Sequence, residues 1–306
     1  MGNSNWNAGA YAVHANNVHG ATQQQVFTNT AGCHDDLNPA KFKVRESRDS
    51  AANPLSTPVI IGVDETGSMG HLAVGIIKTQ LGIIMQGIYD RKPVTDPHVI
   101  LLGLGDAYSD HAPIQATQFE ADMKLVEQIS KIFIESNGGG NGGESYPLAW
   151  WLARHKTSCD CQEKRGKRGY LFTIGDEAPH PVITKDQVKR FFDVDVESDV
   201  KIDDLLREAQ ARWHVFHLIT PTDATKYQGA EAKWKILLGE RAIVVDDHTK
   251  LGEVIVSIMQ VNEGHDADAV AASWGADAGT AIVVKNSLRG LTKLTSKTTK
   301  GGLTVV

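Results

Sequence analysis

The sequence predicts an α/β protein built on a doubly wound, mostly parallel sheet flanked by helices. Three observations carry that prediction. Aliphatic runs of strand length, PVIIGVD (58–64), HVILLGLGD (98–106) and GYLFTIGD (169–176), are continuous and do not alternate, as expected of strands buried on both faces. The segments between them place apolar residues at helical spacing. Strand and helix then alternate up to about residue 262, the pattern of a parallel sheet joined by crossover helices.

The elements follow in order. Residues 1–55 are rich in Asn, Gln, Ala, Gly and Thr with little apolar periodicity. They read as an extended arm that takes its order from the main domain or a partner. Within it, VFTNT (26–30) and KFKVRES (41–47) are expected to be short strands. Residues 56–262 form the main domain. After its first strand, MGHLAVGIIKTQLGIIMQGIYD (69–90) has helical spacing. HVILLGLGD follows as a second strand, and the alternation in APIQATQF (112–119) suggests a short antiparallel edge strand. EADMKLVEQISKIFIES (120–136) reads as an amphipathic helix with an acidic first turn. ESYPLAWWLARHK (144–156) reads as another, with Pro147 in the first turn where proline is tolerated. Trp150 and Trp151 are expected to split, one facing the core and one half-exposed. After GYLFTIGD, SDVKIDDLLREAQAR (198–212) leads into strand WHVFHLIT (213–220). AEAKWKILLG (230–239) leads into RAIVVDD (241–247), and KLGEVIVSIMQVNE (250–263) closes the series. Residues 263–306 form a C-terminal helix and tail, helical around ADAVAASW (267–274) and basic, Thr- and Gly-rich from Lys285 on.

Composition narrows the function classes. The chain has 306 residues, 41% of them hydrophobic, with 31 Lys and Arg against 37 Asp and Glu. The net charge of −6, with no basic block, argues against nucleic acid as the main partner. KRGKR (164–168) reads as a solvated loop. No apolar run is long enough to span a bilayer. The opening MGNSNWNAGAYAVHANN has neither a charged n-region nor an apolar h-region, so no secretory signal is expected. Three cysteines are too few for a disulfide framework, and a reducing cytoplasm is expected. Cys159 and Cys161 invite a zinc reading with His155 and Cys33 or His34. Cys-x-Cys is cramped for zinc, however, and the other candidates are distant in sequence, so unpaired thiols in a charged surface loop are preferred.

The chemistry gathers where the strands end. In an open α/β sheet, ligands bind outside the carboxyl ends of the strands. Asp64, Asp106 and Asp176 each end a core strand. DETGS (64–68) adds the hydroxyls of Thr66 and Ser68 on alternate residues. The glycine-rich SNGGGNGGESY (136–146) opens a helix at the same edge and carries Asn141 and Glu144. Clustered carboxylates repel one another, and a divalent cation removes that cost. An all-oxygen donor set suits Mg2+, Mn2+ or Ca2+ and not zinc. The simpler reading of DETGS is a helix N-cap by Thr66 or Ser68. The glycine loop has no lysine at the P-loop position, so phosphate cradling fits it poorly. His180 reads as a structural loop residue. A metal-dependent hydrolase is the enzymatic alternative. It lacks a paired nucleophile and base, His71 being the nearest histidine candidate.

DETGS resembles the metal-ion-dependent adhesion site of the von Willebrand factor A domain, whose motif is Asp-x-Ser/Thr-x-Ser after the first strand. The resemblance runs over roughly residues 56–262, and GDAYSDH (105–111), GGGNGGES (138–145) and GDEAPHP (175–181) follow in the family's loop order. It implies metal ligation by Asp64, Thr66 and Ser68, with Asp176 outside that ring or bridging through water. Asn141 stands where the family has Thr or Asp, and either Asp106 or Asp110 could match the Asp-His loop. It also implies a vacant coordination position, completed by a partner protein's carboxylate. The expected role is an adaptor in a cytoplasmic complex, in company such as AAA-type ATPases. The alternative is an assembly protein whose arm and tail build a homo-oligomer.

Overall fold

A computed structural model describes residues 4–65, 75, 79–134, 143–221 and 228–292. Six strands form the central sheet: β1 (Thr57–Asp64), β2 (Pro97–Leu104), β3 (Ile114–Ala116), β4 (Gly169–Gly175), β5 (Trp213–Ile219) and β6 (Ala242–Val244). Their spatial order is β6-β5-β4-β1-β2-β3. All neighbours pair in parallel except β2 and β3, which are antiparallel. Read from the β3 edge this is 3-2-1-4-5-6, the standard doubly wound order, and the winding reverses between β1 and β4.

The predicted burial on both faces explains why β1 is central. Val59, Ile61 and Val63 face one core, which includes Ile84 and Met85 of the Leu81–Arg91 helix and Ile255 and Met259 of the Leu251–Asn262 helix. Ile60 faces the other, with Trp150 of the Pro147–His155 helix and Leu205 of the Ile202–Gln210 helix. Each such aliphatic contributes about 1.5–3 kcal/mol by leaving water. Gly62 is needed on the second face, because a Cβ there would lie 2.6 Å from Leu104 Cδ1.

Several expectations need correction. The N-terminal arm is not extended. Residues Ala8–Val18 form a helix, capped at Asn7, whose Oδ1 accepts from the Ala10 amide at 2.9 Å. Tyr11 packs so tightly on Gly82 that a Cβ there would lie 2.1 Å from its ring. VFTNT is not a strand: Val26 ends the short helix Gln23–Val26, and Val26 and Phe27 are buried. Strand formation in KFKVRES is limited to Arg45–Ser47, which pairs in parallel with Thr157–Cys159. Among the described residues, the helix expected over 120–136 is limited to Lys124–Ile129. Trp150 and Trp151 are both buried, since the helix carrying them is covered on both sides. Cys159 and Cys161 do not lie in a surface loop. Cys159 ends a buried strand and Cys161 sits in the Asp160–Arg165 helix; burial pushes their thiols up to about 12 and about 11. The Lys185–Phe192 helix and the ribbon Val182–Ile183/Val200–Lys201 were not anticipated. Neither was the Ala278–Ser287 helix, which lies in the region read as tail. Residues 293–306 of that tail lie outside the described residues.

A charged cluster ties the chain ahead of β1 to the Asp160–Arg165 helix. Asp49 accepts from Arg165 Nη1 at 2.7 Å and Nη2 at 3.1 Å, and from the Ser56 hydroxyl at 2.7 Å. Asp160 bonds Arg48 Nη1 at 2.9 Å and the Asp49 amide at 2.9 Å. The Arg165 hydrogen bonds, outweighing burial, hold the Asp49 carboxyl well below the usual carboxylate range. A depressed folded-state pKa gives stability that is present above the unfolded value of about 3.9 and is lost as pH falls through the folded one. Asp49→Asn should therefore cost about 1–3 kcal/mol at neutral pH. Urea melts of the two proteins should converge as pH drops below about 4. A gap that stays constant down to acid pH would show that the Asp49 charge contributes nothing.

Candidate functional site at the carboxyl edge

The winding reversal leaves a crevice beyond the ends of β1 and β4, the usual ligand position in an open α/β sheet. Asp64 closes β1, and Asp176 directly follows β4. Asp106 lies just past β2. Their exposures are 1%, 4% and 3%, so all three carboxylates are set away from bulk water.

Asp64 is positioned by Tyr146, whose hydroxyl donates to Oδ2 at 2.7 Å. Tyr146 directly precedes the Pro147–His155 helix, which begins on Pro147 as the sequence suggested. Complete burial, with the charges of Asp64 and Glu144 adding to it, drives the Tyr146 hydroxyl far above its ordinary range, so it keeps its proton and acts as a donor. Its ring lies edge-on to His217 at 4.9 Å between centroids, and His217 stacks on Trp234 at 3.6 Å. Burial holds His217 well below its ordinary value and therefore neutral; its Nδ1 lies 2.8 Å from Thr173 Oγ1. Gly175 permits this arrangement, because a Cβ there would lie 2.0 Å from the Tyr146 hydroxyl oxygen.

Asp106 is fixed from several directions. Its Oδ1 lies 2.9 Å from His180 Nε2 and accepts from the Tyr108 amide at 3.1 Å and Ser145 Oγ at 3.3 Å. Burial raises its pKa, but the hydrogen bonds from His180 and the Tyr108 amide more than offset this, leaving it below the usual range. His180, read from sequence as a loop residue, thus helps orient a candidate ligand. Asp110 is equally buried and accepts from the Asp106 amide at 2.7 Å. Asp106 is joined to the 143–146 segment through Ser145 and to the loop after β4 through His180.

The 143–146 segment joins these loops. The Glu144 amide donates to the Ala178 carbonyl at 2.8 Å, and the His180 amide donates to the Glu144 carbonyl at 3.1 Å. Burial, then the charges of Asp64, Asp106 and Asp110, push the Glu144 carboxyl up to about 10. Glu65, also buried, lies over Gly103 and accepts from Gln115 Nε2 at 2.7 Å. Sequence reasoning missed Tyr146, Ser145 and Glu65 as parts of this edge. Their residue types carry no motif, and only the fold brings them to the aspartates.

The structure thus places Asp64, Asp106 and Asp176 along one edge of the sheet. Thr66, Ser68 and Asn141, the other expected ligands, lie outside the described residues, as does His71. Among the described residues, no three His, Cys, Asp or Glu side chains are disposed to hold a metal ion by themselves. The donor chemistry nonetheless fits a hard divalent cation. The groups are oxygens, and burial together with the neighbouring carboxylates raises the Glu144 carboxyl.

No family model matches the chain, and no curated protein matches its sequence. Among solved structures it is similar to the pilus adhesin SpaC from Lactobacillus rhamnosus GG, with 8% identity over 71% of this chain and 31% of that one and a TM-score of 0.48. It is similar to a von Willebrand factor type A protein from Catenulispora acidiphila, with 10% identity over 69% and 44% and a TM-score of 0.38. Proximal thread matrix protein 1 from the mussel byssus gives 6% identity over 68% and 48% and a TM-score of 0.44. The matched region spans less than half the length of each of these chains. At such identity the likeness is one of fold alone. No helix among the described residues is long and apolar enough to cross a membrane.

The Tyr146 contact can be tested directly. Tyr146→Phe removes the donor to Asp64 and should cost about 1–3 kcal/mol in urea unfolding. Gly175→Ala pushes the same hydroxyl aside and should cost a similar amount. Because both act on one contact, the double variant should lose clearly less than the sum. Strict additivity would show that the two substitutions act separately.

Proposed function

We propose that this chain is a metal-dependent protein-interaction module. A divalent cation, Mg2+ or alternatively Mn2+ or Ca2+, would be held at the carboxyl edge by Asp64 and Asp106, with Thr66, Ser68 and Asn141 from the neighbouring loops and Asp176 behind them. When bound, the cation supplies an electrophilic centre for an acidic side chain of a partner protein. The observation that carries this reading is the placing of the buried Asp64, Asp106 and Asp176 at the carboxyl edge beside the winding reversal. The chain's own residues do the positioning. Tyr146 orients Asp64, and His180 and Ser145 orient Asp106.

The test is a pull-down with the full chain, with and without EDTA, followed by mass spectrometry. A partner should be retained in Mg2+, released by EDTA and lost by Asp64→Ala. Mg2+ at about a hundred times its Kd should add about 2.7 kcal/mol. At about 2–4 °C per kcal/mol, this corresponds to a Tm rise of roughly 5–10 °C, which Asp64→Ala should abolish. Partner retention indifferent to EDTA, together with a Tm indifferent to Mg2+, would refute the reading.

A further inference from the structure

The opposite edge of the sheet carries the opposite charge. A cavity of about 360 Å³ opens between the chain ahead of β1 and the amino ends of β4 and β5. Thr57 of β1, Tyr170 of β4 and His214 of β5 line it, and so do Lys92, Arg165, Lys167, Arg168 and Glu263. Arg165 is already taken up by Asp49 at 2.7 Å. Among the described residues, Lys92, Lys167 and Arg168 have no salt-bridge partner, leaving three cations around one carboxylate. That carboxylate, Glu263, accepts from the Tyr170 hydroxyl at 2.5 Å.

His214 lies in the wall of the same cavity. Burial, with the charges of Arg241 and Arg168 adding to it, lowers its pKa to about 3, so the ring is neutral. Its Nδ1 is buried without a hydrogen-bond partner among the described residues. A protein wall of low dielectric, lined by one sign of charge, concentrates the opposite charge from solution. The KRGKR segment supplies much of that charge, because the turn at Gly166 (φ +60°) brings Lys167 and Arg168 round to the start of β4. The cavity volume lies at the lower end of the range for small-molecule sites, about 300–1,000 Å³.

We propose that this cavity binds a small molecule bearing a phosphate group, with the Arg168 guanidinium and the Lys92 and Lys167 ammonium groups as its counter-charges. A guanidinium meets phosphate oxygens through two parallel N–H bonds, whereas the ammonium groups act as point charges. The site is separate from the carboxylate edge. The seven residue steps from Thr57 to Asp64, at about 3.3 Å each, put the two ends of β1 about 23 Å apart.

The test uses the full chain without added divalent cation. Inorganic phosphate and adenosine 5′-monophosphate are titrated separately against sodium chloride of matched ionic strength, read by thermal shift and calorimetry. Either probe should stabilise the protein beyond the chloride control. The exposed double substitution Lys167→Ala/Arg168→Ala should weaken that probe at least tenfold while leaving the probe-free Tm close to wild type. Tighter binding of the monophosphate would identify a phosphate monoester as the ligand, and equal binding would identify free phosphate. Lys92→Glu provides a second disruption from a different element and should weaken binding by a similar factor. No response beyond matched chloride, or affinity unchanged in both variants, would overturn the proposal.

Discussion

Buried carboxylates concentrated at one edge of a sheet are the constraint on which the rest of this structure depends. Like charges held away from water repel one another, and the low dielectric around them strengthens the repulsion. The protein answers with donors from within the loops and from other elements. Tyr146 reaches Asp64, and the Asp106 amide occupies Asp110. His180 and Ser145 reach Asp106. Glu144 answers differently, by keeping its proton. The end of β1 and the loops after β2 and β4 are thus bound to the segment before the Pro147–His155 helix.

That arrangement places demands deep inside the sheet. Tyr146 can reach Asp64 only because Gly175 has no side chain, and its ring is held by His217 and Trp234. Trp234 in turn donates from Nε1 to the Glu177 carbonyl at 2.9 Å, next to Asp176. The path from β1 to β5 and back to the loop after β4 is therefore closed. A core substitution at His217 or Trp234 would be felt at the carboxylates without touching them. Packed interiors transmit small displacements because they contain few voids to absorb them.

The central strands were legible because they are buried on both faces, which leaves continuous aliphatic runs of strand length. The aspartates at their ends were legible for a related reason: the sheet's topology fixes which edge a strand terminus occupies. Short, sparsely apolar elements were harder. The amino-terminal arm looked extended because it enters the core through isolated anchors, Tyr11, Val26, Phe27 and Leu37, which have no period. The Lys185–Phe192 helix did carry a local signal, Thr184 with Gln187 three residues later in a capping box, but its short apolar stripe did not stand out. The choice between Asp106 and Asp110 was beyond the sequence altogether. Both lie in one turn, and the bonds that Asp106 takes from the distant Ser145 and His180 leave no local signal.

The two ends of β1 also bear on how the molecule could combine two ligands. A separation of about 23 Å exceeds the Debye length of about 8 Å at physiological salt, so the basic cavity and the carboxylate edge exert little direct electrostatic influence on each other through solvent. Each can therefore keep its own sign of charge without weakening the other. Any influence of one on the other would have to pass through β1 and β4, the two strands that end at both. Both strands are buried along their length and hydrogen-bonded to each other from Val59↔Tyr170 to Val63↔Ile174, which makes them a stiff connection. Reciprocity would then hold: an anion at the cavity that altered cation affinity at the edge would have its own affinity altered by the same factor.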